Sequence, residues 1–473
     1  MMKKIIVTTC LAIMAMTSWA ITAQEAVDAF VANKGLSHAA MGVAVFDVDS
    51  NRLVAGHLAD QAMVTASTMK TVTSVAALET LGGDFRFKTP VYMQGKVQGD
   101  TLVGNVLIVG DGDPTLGSRF FPKHPNIVAE VVAALKDAGI KTIMGKVLTD
   151  ESLFPYPPYS IHWDVGDLAW DYGAAVPAIC YSDNVLQVRF SVDKWGRYTP
   201  FRLVPHVPGV QVINRMNFRL NRENTDFALE YATPAVVLMG DVKPGSYNMR
   251  ASNPSPSALL ADSLTHALVR AGVAVEGRDE VLSYQASTRR QLLVTHESPE
   301  LTDIVTSLLD RSDNMFTHAL LRALAVRDRS WNGGEVDAHG VKVVRRVLAR
   351  LGVDASALFM RDGSGLARAG KASPALLTHM LAQVATKEYN GKRLCELMPK
   401  AGNRVGKLLP KTSLRNDIVL KSGSMSDVQC FVGYYPAENP RYTFAILANN
   451  YNCSRAELCN YMDQLLISLF QDK

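Results

Sequence analysis

Two strand-forming stretches at opposite ends of this 473-residue chain constrain its fold more than anything between them. Near the N-terminus, residues 40 to 48 (Ala-Met-Gly-Val-Ala-Val-Phe-Asp-Val) and 52 to 56 read as a hairpin, and a helix follows close to Ser67. Near the C-terminus, residues 417 to 420, 431 to 435 and 442 to 447 read as consecutive antiparallel strands, with a turn at Ala437-Glu-Asn-Pro440. The two ends together read as one α/β (α+β) domain in which helices pack on an antiparallel sheet, split by a long insertion.

The texture between them differs. From about Phe85 short strands alternate with turns: Val91 to Met93, Thr101 to Val109, and the turn Gly110-Asp-Gly-Asp-Pro114. Asn126 to Ala138 is a helix candidate that Gly139 stops, and residues 152 to 256 are rich in Pro, Tyr and short alternating runs. Helical patterning returns at Ser257 to Ala271. Ser298-Pro299-Glu300, with N-cap and first-turn chemistry, opens Leu301 to Asp310, and Asn314 to Ala325 follows. A chain of this length divides into two or three domains of roughly 100 to 200 residues. The expected division is a catalytic unit at 24–84 and 285–473, a β-rich inserted region at 85–284, and a nested inner piece at about 155–250.

Lys3 and Lys4 precede an apolar stretch from Ile5 to Met16, and Ser18-Trp-Ala20 or Ile21-Thr-Ala23 supplies small residues for cleavage. Residues 1–23 therefore read as a secretory signal peptide, which places the protein in the periplasm. The stretch is too short to span a bilayer, which takes about 20 apolar residues; the alternative is an uncleaved anchor. Removing Lys3 and Lys4 lowers the net charge from +4 to +2, a balance that gives no support to a nucleic-acid partner. Cys10 leaves with the signal. Five cysteines remain, so one thiol at least stays unpaired; Cys453 and Cys459 are the nearest pair for a disulfide. No Cys-x-x-Cys or His-Glu-x-x-His is present, so no metal and no cofactor is expected. The final stripe, Leu458, Tyr461, Met462, Leu465, Leu466, Leu469 and Phe470, has helical spacing and little basic charge, which favours docking on the core over lying on a membrane.

Ser67-Thr-Met-Lys70 puts a hydroxyl and an amine three residues apart at a helix start, on one helix face. Met69, Val72, Val75, Ala76 and Leu81 continue the helical spacing, and Gly82-Gly83 stops it. A serine hydroxyl needs a base within hydrogen-bond reach, and a desolvated lysine can be that base. The four-residue pattern alone is weak. Ser191-Val-Asp-Lys194 repeats it, but among Leu186, Val188, Phe190 and Val192 it reads as a strand, which sends residues three apart to opposite faces.

Ser312-Asp-Asn314 sits at a break between two helices, whereas its copy Ser182-Asp-Asn184 lies in the β-rich region and reads as a turn. Lys421-Ser-Gly423 follows Ile418-Val-Leu420 and precedes Ser424. There a cation and a hydroxyl on an edge strand suit a substrate carboxylate, and Gly423 suits close approach of a substrate backbone. Each element alone has a bland structural explanation; their occurrence in this order reverses that judgement.

Ser67-x-x-Lys70, Ser312-Asp-Asn314 and Lys421-Ser-Gly423 resemble the three signature elements of penicillin-binding proteins and serine β-lactamases. The 244 residues between Ser67 and Ser312 are similar to the spacing in class C low-molecular-mass penicillin-binding proteins, the D-alanyl-D-alanine carboxypeptidase and endopeptidase family, in which large domains interrupt a transpeptidase-like domain. Gly110-Asp-Gly-Asp-Pro-Thr-Leu116 and Asp362-Gly-Ser-Gly-Leu-Ala-Arg368 also look like family sequence. The resemblance implies an acyl-enzyme on Ser67, with Lys70 as base, Ser312 relaying the proton, Lys421 maintaining the local positive field, and Asn314 holding the substrate amide. It further implies an oxyanion hole from the N–H groups of Ser67 and Ser424, Ser422 on the terminal carboxylate, Arg368 as a substrate contact, and Asp150 on the free amine of the stem's diamino acid. The ligands so implied are peptidoglycan and β-lactams. Ser422 stands where Thr is usual, Ala367 where Ser is usual, and Asp427 where a small residue is common; Asp427 is expected to alter preference or rate. The rivals are a β-lactamase or esterase on the same scaffold and a non-catalytic cell-wall binding protein.

Overall fold

The computed structural model describes residues 22–229, 234–277, 280–282, 290–402 and 414–471. The expected signal segment and the expected boundary at 284 fall outside these residues, apart from Thr22 and Ala23.

The two ends of the chain meet in one five-stranded antiparallel sheet, in the order Arg52–His57, Ala40–Asp47, Tyr442–Asn449, Val428–Tyr435, Val419–Met425. The register pairs Ala40 with Asn449 and Asp47 with Tyr442, so the first strand lies against the last along its whole length. Strand alternation splits the apolar residues between two faces. Val43, Phe431, Phe444 and Ile446 face the helices Ala23–Val31 and Arg455–Phe470. Cys430, Val432, Ala445 and Leu447 face a larger cluster built with Met69–Leu81, Leu301–Arg311, Asn314–Val326 and Pro374–Gln383. A sheet covered on both faces has central strands that are apolar at nearly every position, as Tyr442–Asn449 is. The C-terminal stripe docks as expected, with Leu458, Met462, Leu465, Leu466, Leu469 and Phe470 all buried.

The inserted region carries two further cores. Lys88–Gln98, Thr101–Val109 and Arg290–Glu297 form the antiparallel part of a seven-stranded sheet, while Val147–Asp150 runs parallel to Thr101–Val109. Helices Ile127–Asp137 and Pro256–Arg270 contribute to its core, so this layer is mixed rather than simply β-rich. Because Arg290–Glu297 pairs with Lys88–Gln98, the sheet extends past the boundary expected at residue 284. Nested within it, Val185–Val192 pairs with Gly245–Ser252, and Ala235–Val242 with Asn224–Leu229, around Leu186, Val188, Phe190, Phe227 and Leu238. Arg322 pins the insertion to the helix Asn314–Val326. Its side chain is 1% exposed, pairs with Asp337 at 2.9 Å, and donates to the carbonyls of Val176 and Pro157 at 2.7 and 3.2 Å.

Several local expectations change. Helix Leu301–Arg311 is capped by Glu300, not Ser298, whose hydroxyl accepts from Phe87 N and donates to the Pro299 carbonyl. Leu414–Asp417 is a helical turn, and the strand expected from 417 starts at Val419. All five cysteines from Cys180 to Cys459 are free thiols, so the Cys453–Cys459 disulfide does not form. Among the described residues no helix is long and apolar enough to cross a membrane, and no group of side chains suits a metal ion.

Candidate active site

The helix expected after Ser67 runs from Met69 to Leu81, and Ser67 itself lies in the tight turn Ala66–Thr68 that feeds it. Every residue from Met69 to Leu78 is buried, polar ones included, so this helix is central rather than amphipathic. Gly82, at φ 87°, ends it as expected. Ala66 precedes the serine with φ 44°, a left-handed conformation that costs an L-residue about 1–2 kcal/mol. Strain of this kind collects at functional sites.

Lys70 is fully buried. Its Nζ lies 3.0 Å from Ser67 Oγ, 2.6 Å from Asn314 Oδ1 and 2.8 Å from the Ser364 carbonyl. Burial brings its ammonium down to about 7, against the opposing pull of Asp362 and Asp313. Lys421 is 1% exposed, and its Nζ donates to Ser312 Oγ at 2.9 Å and to the Ser422 carbonyl at 2.6 Å. Burial, reinforced by the charge of Lys70, holds Lys421 well below the ordinary lysine range. The three sequence elements thus converge as two lysine–serine pairs, with Asn314 touching the first.

The helix break at 312 has a local cause. Ser312 adopts φ 60°, ψ 41° and closes Leu301–Arg311, while the Asp313 carboxylate accepts from Phe316 N at 2.9 Å and caps the next helix. Asn314 Nδ2 donates to the Tyr172 carbonyl at 2.8 Å, which ties the site to the insertion.

Lys421-Ser-Gly423 lies inside the edge strand Val419–Met425, not after it. Lys421 and Gly423 are buried, Ser422 is half-buried and Ser424 is exposed. The reason for Gly423 is internal. A Cβ there would stand 2.5 Å from the Thr65 carbonyl and 2.9 Å from Ser67 N, so glycine lets the strand approach the nucleophile turn. Gly423→Ala is expected to cost about 1–3 kcal/mol of stability, by analogy with other overpacked sites. It should also slow covalent labelling by a fluorescent penicillin; an unchanged melting temperature and labelling rate would refute this packing argument.

Asp427 sits with φ 60° in the two-residue turn joining Val419–Met425 to Val428–Tyr435, and its carbonyl accepts from Asn450 N at 2.7 Å. Aspartate tolerates that conformation, so the turn accommodates this departure. Ala367 is buried, and its contact is through the backbone: its N donates to Asp362 at 3.1 Å. Arg368 is exposed, without an ion-pair partner among the described residues. Asp150 ends the strand Val147–Asp150 at 5% exposure, and its carboxylate accepts from Ser152 N at 3.0 Å. Neither is recorded in contact with the lysine–serine pairs.

Both repeat motifs are structural turns or strands. Ser191 lies within Val185–Val192, hydroxyl to hydroxyl with Ser246 at 3.0 Å, and Lys194 sits over the Trp195 ring. Ser182–Asn184 is a tight turn. Sequence reasoning missed the work of Asp362, whose carboxylate collects Gly365 N, Leu366 N, Ala367 N, Ser364 Oγ and Trp163 Nε1. That collar presents the Ser364 carbonyl to Lys70. An aspartate set among glycines in Asp362-Gly-Ser-Gly365 was the available signal, since such loops turn their backbone groups inward.

A helix-covered antiparallel sheet that gathers these paired serines and lysines beside an open strand edge defines the penicillin-interacting class of serine hydrolases. Within that class, the chain belongs to the D-Ala-D-Ala carboxypeptidase 3 (S13) family, whose model matches residues 23–469. It is 25% identical over 438 residues to the D-alanyl-D-alanine carboxypeptidase DacB of Haemophilus influenzae, covering 88% of this chain and 87% of that one. It is 24% identical over 446 residues to a D-alanyl-D-alanine carboxypeptidase of Actinomadura sp., covering 91% and 81%. The crystal structure of penicillin-binding protein 4 of Haemophilus influenzae superposes with a TM-score of 0.78 at 23% identity, over 94% of this chain and 98% of that one.

Proposed function

We propose that this protein is a periplasmic serine D-alanyl-D-alanine carboxypeptidase and endopeptidase that cleaves peptidoglycan stems and cross-links through an acyl-enzyme on Ser67. The observation that carries the reading is the contact at 3.0 Å between the fully buried Lys70 and the half-buried Ser67. Lys70, brought to about 7, is near half neutral at neutral pH, the best compromise for a base that must also return the proton. Ser67 attacks the carbonyl between two D-alanines, and Lys70 takes the hydroxyl proton. Ser312, held by Lys421, relays that proton from Lys70 to the departing amine, and water then hydrolyses the acyl-enzyme to free Ser67. Asn314 orients the substrate amide. The N–H groups of Ser67 and Ser424 face the developing oxyanion, at roughly 3–4 kcal/mol per donor in comparable sites.

Among the described residues no strand pairs with the edge of Val419–Met425 beyond the Lys400–Val419 bridge, which suits a stem peptide lying alongside as an added strand. Ser422 then meets the terminal carboxylate, and Arg368, whose side chain is exposed, takes a substrate contact. Asp150, 5% exposed at the end of Val147–Asp150, is the candidate contact for the free amine of the stem's diamino acid. β-Lactams occupy the same site because their strained amide mimics the scissile bond.

Export is supported by the N-terminal residues. Thr22 forms a capping box with Glu25 on helix Ala23–Val31, which cleavage after Ala20 preserves and cleavage after Ala23 removes.

Digestion of purified sacculi with mass analysis of the products tests the reading. Free D-alanine and conversion of cross-linked dimers to monomers are expected, together with a long-lived penicilloyl adduct. Rapid steady-state nitrocefin turnover without D-alanine release would favour a β-lactamase instead.

A further inference from the structure

Ser312 to Met315 also line a second cleft, of about 410 Å³, within the roughly 300–1,000 Å³ of small-ligand sites. Its other walls come mainly from the insertion: Arg119 and Phe120 from one segment, and Asp171, Tyr172, Asp183 and Arg250 from the nested one. With Arg311, three guanidiniums border it, beside the carboxylates of Asp171, Asp183 and Asp313.

These arginines are held rather than loose. Arg311 and Arg119 lie 4.0 and 4.7 Å from the centre of the same Phe120 ring. Arg119 pairs through Nε with Asp183 at 3.2 Å, and Arg250 with Asp171 at 3.1 Å. A guanidinium has five N–H donors, so one pairing fixes its orientation without exhausting it. Burial raises the carboxyls of Asp183 and Asp313 from the ordinary aspartate range, against the pull of Arg119 on the first and Lys70 on the second.

The turn carrying Asp183 is strained. Ser182, Asp183 and Asn184 have φ of 55°, 58° and 51°, each left-handed. Asn184 holds the turn by accepting from Tyr181 N and donating to the Ala175 carbonyl, both at 2.8 Å, while Ser118 Oγ donates to Asp183. Three strained residues in succession thereby set one carboxylate beside Arg119.

Resting on the peptidase reading above, we propose that this cleft is a carboxylate subsite for the leaving-group arm of a cross-linked stem, biasing the enzyme toward cross-links. Ser312 is the shared residue: it faces the departing amine in the mechanism and forms one wall of the cleft. Whatever is attached to that amine extends from Ser312. A departing D-alanine carries one carboxylate, which Ser422 binds. An acceptor stem carries further carboxylates, and planar guanidiniums match their geometry.

The test compares a purified cross-linked dimer with the same dimer amidated at the acceptor-stem carboxylates beyond the leaving residue. Wild-type protein should cleave the amidated dimer about tenfold more slowly, the loss expected for one charge-assisted hydrogen bond. The double variant Arg119→Gln, Arg250→Gln should lose about tenfold in kcat/KM on the native dimer, through KM, and treat both dimers alike. Its penicillin acylation and D-alanine release from an N-acylated D-Ala-D-Ala peptide should match wild type. Indifference of the wild type to amidation, with normal short-peptide turnover, overturns the subsite alone. Equal losses of the variant on the dimer and the short peptide overturn it too. Failure of wild-type protein to label with penicillin overturns the peptidase reading, and the subsite with it.

Discussion

Ser67→Ala is expected to abolish both covalent labelling by fluorescent penicillin and D-alanine release, while the melting temperature stays within about 1 °C of wild type. The hydroxyl is half-buried, and its recorded partner is Lys70, so removing one oxygen leaves the packing of the Ala66–Thr68 turn in place. In the proposed mechanism, however, that hydroxyl is the atom to which the acyl group attaches, so no residual covalent product is expected. Ser191→Ala, which alters the other Ser-x-x-Lys match, should label normally, because Ser191 lies within a strand of the insertion with its hydroxyl against Ser246. Labelling that persists in Ser67→Ala would remove the nucleophile from the scheme.

Lys70→Met should lower the rate of penicillin acylation by about 10²–10⁴, the usual contribution of a positioned base. Methionine fills a similar length without charge, so loss of the base is separated from loss of volume. In wild-type protein the acylation rate should rise with pH through about 7 and then level, because Lys70 must shed its proton before it can take one from Ser67. The sign follows from burial. Desolvation disfavours the ammonium, so the neutral base gains population well below the pH at which an exposed lysine would. Stopped-flow acylation across pH 5 to 9 measures it, and a flat profile in wild type, or one unchanged in Lys70→Met, would remove Lys70 from that role.

The fold was legible where periodicity and punctuation agreed. The hairpin at 40–56, the paired strands at the C-terminus and the stripe from Leu458 to Phe470 stand close to where alternation and helical spacing put them. What the sequence could not convey was burial around a polar helix: Lys70, Thr71, Thr73 and Ser74 look like a solvated face, yet each is enclosed by elements more than 200 residues away, as the 244-residue separation of Lys70 from Asn314 shows. Gly423 was singled out for its missing Cβ, and the structure adds an internal reason for it, room for Thr65 and Ser67. The Asp362 collar escaped because it works through backbone N–H groups, which leave no residue-type signature beyond one aspartate and its glycines.

The pairing of Ala40–Asp47 with Tyr442–Asn449 also sets the order in which the enzyme comes alive. A chain emerging N-terminus first presents Ser67 early, but Val64 N waits for Asn449, 385 residues later, and Lys421 must arrive before Ser312 has its partner. Such distant contacts form late and slowly. A nascent or truncated chain therefore carries an inert serine, and hydrolysis of the wall begins only when the last strand has closed the sheet.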